Sequence, residues 1–278
     1  MVKKESFEKI CSDIKSLKIQ GATNVAIAAL KAFSIKPTQD SVKKLISLRP
    51  TEPCLRNTLK FAQLDNENIN LAFEHLNKTR IKTAELASNL IKDGDIIYTH
   101  CHSSTVIDAL KLAKKQGKKF KVNCTETRPF FQGRTTARDL AKAKIPVTLF
   151  VDSAMSLAIK EANICFIGAD AITSQLKVIN KIGSQLAVDT ASHLNKPFYV
   201  LTDSWKFDPK TLTGKDEEIE KRNSSEVWDK PPKGVSISNY VFDSIDSSNV
   251  RAIISELGIL STKTFISNLL DNYHWIKK

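Results

Sequence analysis

The chain has 278 residues, 41% of them hydrophobic and 26% charged, and carries a formal net charge of +12. That is length enough for one large core or two domains, and the composition is that of a globular fold, not a disordered or fibrous chain. No apolar run approaches the ~20 residues that a membrane-spanning helix needs, so no membrane association is expected.

The amino end, Met1 to Ser6, leads into an amphipathic pattern and not a signal peptide, and a cytoplasmic location is expected. Residues 1–93 read as a helical domain. Ile10, Ile14 and Leu17 follow helical spacing, as do Ala26, Ala29, Leu30 and Phe33. In the turn-rich stretch from Arg49 to Pro53, Thr51 is expected to cap the next helix, with Pro53 in its first turn. Leu55 and Leu59 continue the pattern.

From Asp93-Gly94 the texture changes. Apolar stretches of strand length recur at 96–99, 120–124, 147–151, 164–167 and 198–201, separated by amphipathic segments. Near-continuous apolar strands alternating with helices predict a parallel sheet covered on both faces. The expected fold is α/β: a helical amino-terminal domain followed by a Rossmann-like parallel-sheet domain over residues 94–278. Residues 210–234 are polar and Pro-containing and read as a loop or lid, with apolar pattern resuming at Val235.

Right-handed crossovers put the carboxyl end of every parallel strand on one rim, where such sheets carry their chemistry. The first strand ends at Thr99-His100-Cys101, followed by Ser103 and a helix; a thiol there is expected to be acidified by the helix start and neighbouring cations. Another strand ends at Gly168-Ala169-Asp170, and a thiol with an acid on one rim suggests proton-transfer chemistry. Arg128, Lys181 and Lys206 lie in rim segments and suit phosphate groups. Asn180-Lys181-Ile182-Gly183 reads as the opening of a helix. The other cysteines, Cys11, Cys54, Cys124 and Cys165, form no C-x-x-C pair, which gives no metal-ligand spacing and no full disulfide framework. No metal or organic cofactor is predicted. Six lysines fall between Lys111 and Lys121 without interleaved aromatics, so this is read as a solvated face and not a nucleic-acid site. Walker and dinucleotide glycine motifs are absent.

Taken together, Gln20-Gly21-Ala22-Thr23, Leu48-Arg49-Pro50-Thr51, Thr99-His100-Cys101, the run from Thr125 through Arg128 to Pro129, Gly168-Ala169-Asp170, the run Ile179 to Gly183 and Trp205-Lys206-Phe207 occur in the order seen in one superfamily. The chain resembles the archaeal ribose-1,5-bisphosphate isomerases, the methylthioribose-1-phosphate isomerases and the alpha, beta and delta subunits of translation initiation factor 2B. Cys101 and Asp170 match the catalytic pair of the isomerase branch, which the translation subunits as a rule do not retain. The resemblance implies substrate contacts at Gln20, Gly21, Ala22, Thr23, Arg49, Ser103, Asn180, Lys181 and Lys206, and a phosphorylated sugar as substrate. It further implies AMP as an activator, and self-association into dimers or a hexamer. It implies the conversion of ribose 1,5-bisphosphate to ribulose 1,5-bisphosphate, with Asp170 as acid and Cys101 as thiolate base. One departure stands out: the isomerases usually show arginine where this chain has Gln20, which removes a charge-assisted phosphate bond. The alternative is a non-catalytic regulatory subunit of the initiation-factor type, binding an initiation factor or a nucleotide.

Overall fold

Ser6 opens the first helix by accepting a hydrogen bond from the Lys9 amide, which satisfies one of the free N–H groups of a helix start. In this computed structural model, which describes residues 6–216 and 219–277, five helices come first: α1 (Phe7–Lys15), α2 (Ala22–Ile35), α3 (Gln39–Leu48), α4 (Pro53–Leu64) and α5 (Asn68–Leu90). The reading of Met1 to Glu5 lies outside the described residues. Thr38 caps α3 through the Ser41 amide. One expectation is corrected here. The cap of α4 is Glu52, not Thr51, because the residue before a proline is driven out of the helical region, so Glu52 stays extended and Pro53 takes the first helical position.

The second part runs β1 (Ile96–Thr99), α6 (Ser104–Lys115), β2 (Lys121–Thr125), α7 (Gln132–Lys142), β3 (Val147–Phe150), α8 (Met155–Glu161), β4 (Ile164–Gly168), β5 (Ala171–Ile172), β6 (Lys177–Lys181), α9 (Ser184–His193) and β7 (Phe198–Leu201). A short 3-10 turn over Ser204–Lys206 and a long irregular stretch follow, then β8 (Phe242–Asp246), β9 (Ala252–Ser255), β10 (Gly258–Leu260) and α10 (Thr262–Asn272). The main sheet has seven strands in the order β10-β9-β7-β4-β1-β2-β3. All pair in parallel except β10, which runs antiparallel to β9. The chain winds outward from β1 through β2 to β3, then returns to β4 on the other side of β1. The crevice between the carboxyl ends of β1 and β4 is therefore the switch point where such sheets bind ligands.

A second, antiparallel sheet of β5, β6 and β8 is not anticipated by the sequence reading. Lys-Val-Ile-Asn-Lys and Phe-Asp-Ser-Ile-Asp mix polar and apolar residues, as strands with one wet face do, and lack the apolar run of a buried strand. Asn180 and Lys181 accordingly end β6, and α9 begins only at Ser184, after Gly183; they do not open the helix.

One apolar core joins the amino-terminal helices to one face of the main sheet, with Ile14, Leu30, Leu55, Ile167 and Phe207 in a single cluster. A second core lies on the other face, where Val106, Leu110 and Leu140 pack on Ile97, Val122 and Phe166. Each such side chain contributes about 1.5–3 kcal/mol by leaving water. No helix among the described residues is long and apolar enough to cross a membrane.

Candidate active site

Because β1 and β4 are neighbours, the loops that leave them face each other across the switch point. They form one wall of a cavity of about 800 Å³, whose lining includes Cys101, Ser103, Asp170, Lys181 and Lys206. The amino-terminal part of the chain lines it with Gln20, Gly21, Ala22, Thr23 and Arg49, and Asn180 also lines it.

Cys101 sits in the left-handed backbone region at φ +66°, a conformation that a non-glycine residue adopts only when its surroundings enforce it. Two threonines do so: the Cys101 amide donates to Thr127 Oγ1 at 3.1 Å, and Thr136 Oγ1 donates to the Cys101 carbonyl at 2.8 Å. Burial pushes the thiol up to about 11, against the Lys181 ammonium and the main-chain N–H of His102, which favour the thiolate. The expectation of an acidified thiol is therefore corrected: desolvation outweighs the cations, and Cys101 rests as a thiol. The neighbouring His102 also lines the cavity. Its Nδ1 lies 3.0 Å from Thr136 Oγ1, whose one proton is committed to Cys101, so Nδ1 is the donor and Nε2 is left as the acceptor.

Asp170 follows β4 at a point where the backbone is crowded. A side chain at Gly168 would bring its Cβ to 2.6 Å from Ser103 Oγ, so glycine is what lets the start of α6 close over the end of β4. Burial pushes the Asp170 carboxyl above its ordinary range, against the pull of Lys206, Lys181 and Arg49. Lys206 is 6% exposed and donates from Nζ to the Ala169 carbonyl at 2.8 Å. Its turn is held from α4: the buried Asn57 donates from Nδ2 to the carbonyls of both Trp205 and Phe207, each at 2.8 Å. Asn57→Ala is expected to cost about 1–3 kcal/mol, since two buried carbonyls lose their donor. It is also expected to raise KM by loosening Lys206; urea unfolding and steady-state kinetics read the two effects separately.

Gly21, at φ +85°, caps α2 with no side-chain hydrogen bond, and Gly21, Ala22, Thr23 and Asn24 at that helix start line the cavity, an arrangement suited to an anion. Ser103 caps α6 through the Val106 amide. Gln20 is exposed and turned back on its own loop, its Nε2 donating to the Leu17 carbonyl at 2.8 Å. Asn180 Nδ2 donates to Ser184 Oγ, and Lys181, 7% exposed, holds its ammonium 5.1 Å from the Phe242 ring centre.

Arg128 is not part of the cavity. Asp152 accepts from the amides of Thr127 and Arg128, and this turn sends the Arg128 side chain outward to the Val227 carbonyl at 3.0 Å. The sequence reading also passed over groups that do line the cavity: Glu52, His102, Phe130, Glu220 and Arg222. Arg222 lies over the Phe130 ring at 4.7 Å and reaches Glu226 at 3.3 Å, which gives the polar 210–234 stretch a foothold at the cavity mouth. Among the described residues, no group of three or more His, Cys, Asp or Glu side chains is placed to hold a metal ion.

Asp203, which also follows a central strand, belongs to a different network. It accepts from Thr79 Oγ1 at 2.6 Å and from the Trp205 amide at 2.7 Å, and pairs with His75 at 3.4 Å. Burial alone would raise its carboxyl, but His75 and these hydrogen bonds hold it below the usual range.

The chain is similar to known proteins over nearly its full length. A ribose 1,5-bisphosphate isomerase of Methanocaldococcus jannaschii is 37% identical over 302 aligned residues, covering 99% of this chain and 96% of its own length. The Pyrococcus furiosus protein of the same name is 33% identical over 315 residues, covering 100% and 97%. Among solved structures, a Pyrococcus horikoshii translation initiation factor eIF-2B superposes with a TM-score of 0.82 at 29% identity, over 92% of this chain and 96% of that one. The fold is shared with 5-methylthioribose 1-phosphate isomerase of the same organism, at a TM-score of 0.78 and 20% identity, over 96% and 88% of the two chains. The profile of the initiation factor 2 subunit family matches residues 18–262, and the chain belongs to that family.

Proposed function

We propose that this protein is a sugar-phosphate isomerase that converts α-D-ribose 1,5-bisphosphate to ribulose 1,5-bisphosphate. The observation that carries the reading is that a thiol, Cys101, and a carboxyl held toward its protonated form, Asp170, line one cavity with Lys181, Lys206 and an uncapped helix start. The full-length similarity to proteins named ribose 1,5-bisphosphate isomerase supports it. A glycosyl phosphate has no free aldehyde, so ordinary aldose isomerisation is blocked. The step that avoids this protonates the ring oxygen as the C2 proton leaves, breaks the C1–O4 bond and gives an enol carrying the 1-phosphate. Proton return to C1, with the C2 hydroxyl becoming a carbonyl, completes the ketose. Asp170 supplies the proton to the ring oxygen and Cys101 takes the one from C2. The cations and helix amides hold the two phosphates and align the sugar.

The homo-oligomeric expectation forms part of this reading, as a dimer or hexamer. Leu149 on the free edge strand β3 and Val151 just beyond it are 42% and 54% exposed, which supports a covered edge in the assembly. The non-catalytic reading, a regulatory subunit of the initiation-factor type, is favoured by one feature: with Gln20 turned away and Arg49 paired to Glu52, the cation left at that end of the cavity is Lys18, itself 3.5 Å from Asp13. Purified protein incubated with ribose 1,5-bisphosphate, with and without AMP, separates the two. Accumulation of ribulose 1,5-bisphosphate is the expected result; none in either arm overturns the isomerase.

A further inference from the structure

Arg49 is a cation on the amino-terminal wall of the cavity, yet it is already engaged. Its Nη2 lies 2.7 Å from Glu52 Oε1, and the two side chains are only 18% and 3% exposed. The other carboxylate oxygen, Glu52 Oε2, is buried and has no hydrogen-bond partner among the described residues, although Glu52 lines the cavity. A buried carboxylate with one oxygen unpaired is costly, and it leaves a negative charge where an anionic ligand would reach for Arg49.

We propose that Glu52 competes with a phosphate group of the ligand for Arg49, so that phosphate binding at this end of the cavity draws a proton onto Glu52. This rests on the reading of the cavity as a site for a phosphorylated sugar, but not on turnover. The charged groups that face Glu52 are Arg49 from the end of α3, Asp170 from the loop after β4, Lys206 from the 3-10 turn and the Cys54 thiol on α4 itself. Burial and then the charge of Asp170 already push Glu52 above the usual carboxylate range, against Arg49 and Lys206. A phosphate dianion arriving at Arg49 adds a like charge beside Glu52 and withdraws its ion-pair partner. Both changes favour the protonated form, so linkage requires affinity to rise as pH falls. At that point Glu52 becomes a hydrogen-bond donor and Arg49 is released to the phosphate, which gives the cavity a pH-dependent preference for anionic ligands that Arg49 alone would not impose.

The test uses inorganic sulfate, a tetrahedral dianion that does not titrate near neutrality, and titration calorimetry in buffers of different ionisation enthalpy to count protons. The wild-type protein is expected to take up protons on binding sulfate and to bind it more tightly at lower pH. Glu52→Gln is expected to abolish that uptake and to bind about tenfold more tightly at the alkaline end, the two proteins converging as pH falls. Equal affinity and equal proton uptake in wild type and E52Q overturn the proposal, as does the absence of saturable sulfate binding in both. Should E52Q not fold, zero proton uptake by the wild type overturns it alone. An inactive protein that still takes up protons with sulfate would sink the isomerase reading and keep this one; an active isomerase with pH-independent sulfate binding would do the reverse.

Discussion

Replacing Cys101 with serine is expected to lower kcat on ribose 1,5-bisphosphate several hundredfold while leaving KM within about threefold, because the hydroxyl occupies nearly the same space but is far too weak an acid to become the base. The pH profile tests the assignment more closely than the rate. Burial pushes both groups toward their protonated forms, the Cys101 thiol against the Lys181 ammonium and the Asp170 carboxyl against Lys206, Lys181 and Arg49. The reactive combination, Asp170 protonated with Cys101 ionised, holds a constant share of the enzyme between the two titrations, whichever group titrates first. The wild-type kcat is therefore expected to be flat across that interval and to fall on either side. With serine at 101 only the acid remains, and the residual rate is expected to drop about tenfold per pH unit above the Asp170 titration. Near-normal turnover in C101S, or a residual rate that stays level with pH, removes Cys101 from the chemistry.

Much of this site is legible before any coordinates. Cys101, Asp170 and Lys206 each follow an apolar run long and uninterrupted enough to be a buried parallel strand or the turn after one, and parallel topology alone then sends all three to one rim. What the sequence hides has physical reasons. Asn180 and Lys181 reach the cavity from an antiparallel strand whose residues are half polar, so no apolar run announces it. Arg128 stands at a strand end like the others, but Asp152 claims two successive amides of its turn and directs the side chain to the outside. Glu52 carries no motif; it is a cap residue whose carboxylate turns back to Arg49, three positions earlier, and not to the helix it precedes. The protonation state of Cys101 is equally invisible. Neighbouring cations and a helix start can be read from the chain, whereas the desolvation that outweighs them depends on how tightly α2, α4 and the two central strands close together.

Asp170→Asn is expected to have the opposite pH signature to C101S and a loss of about 10²–10⁴ in kcat, since an amide cannot deliver the proton that the ring oxygen needs as C1–O4 breaks. With the acid gone, only the thiolate fraction governs the residual rate, which is expected to climb about tenfold per pH unit toward the Cys101 titration where the wild type is flat. Stability moves the other way. The folded state raises the Asp170 carboxyl above its unfolded value, because burial outweighs Lys206, Lys181 and Arg49. For a carboxyl shifted upward, the fold is penalised once pH rises through the folded titration, and the penalty vanishes below the unfolded one. The neutral amide escapes it, so D170N is expected to unfold at higher urea concentration than the wild type at pH about 8, with the difference closing as the wild-type carboxyl protonates toward pH about 4. A residue retained only for packing would not give this pairing, in which one substitution removes turnover and strengthens the fold. A D170N protein that is less stable at alkaline pH, or whose residual rate is independent of pH, would assign Asp170 a structural part and leave the proton on the ring oxygen without a donor.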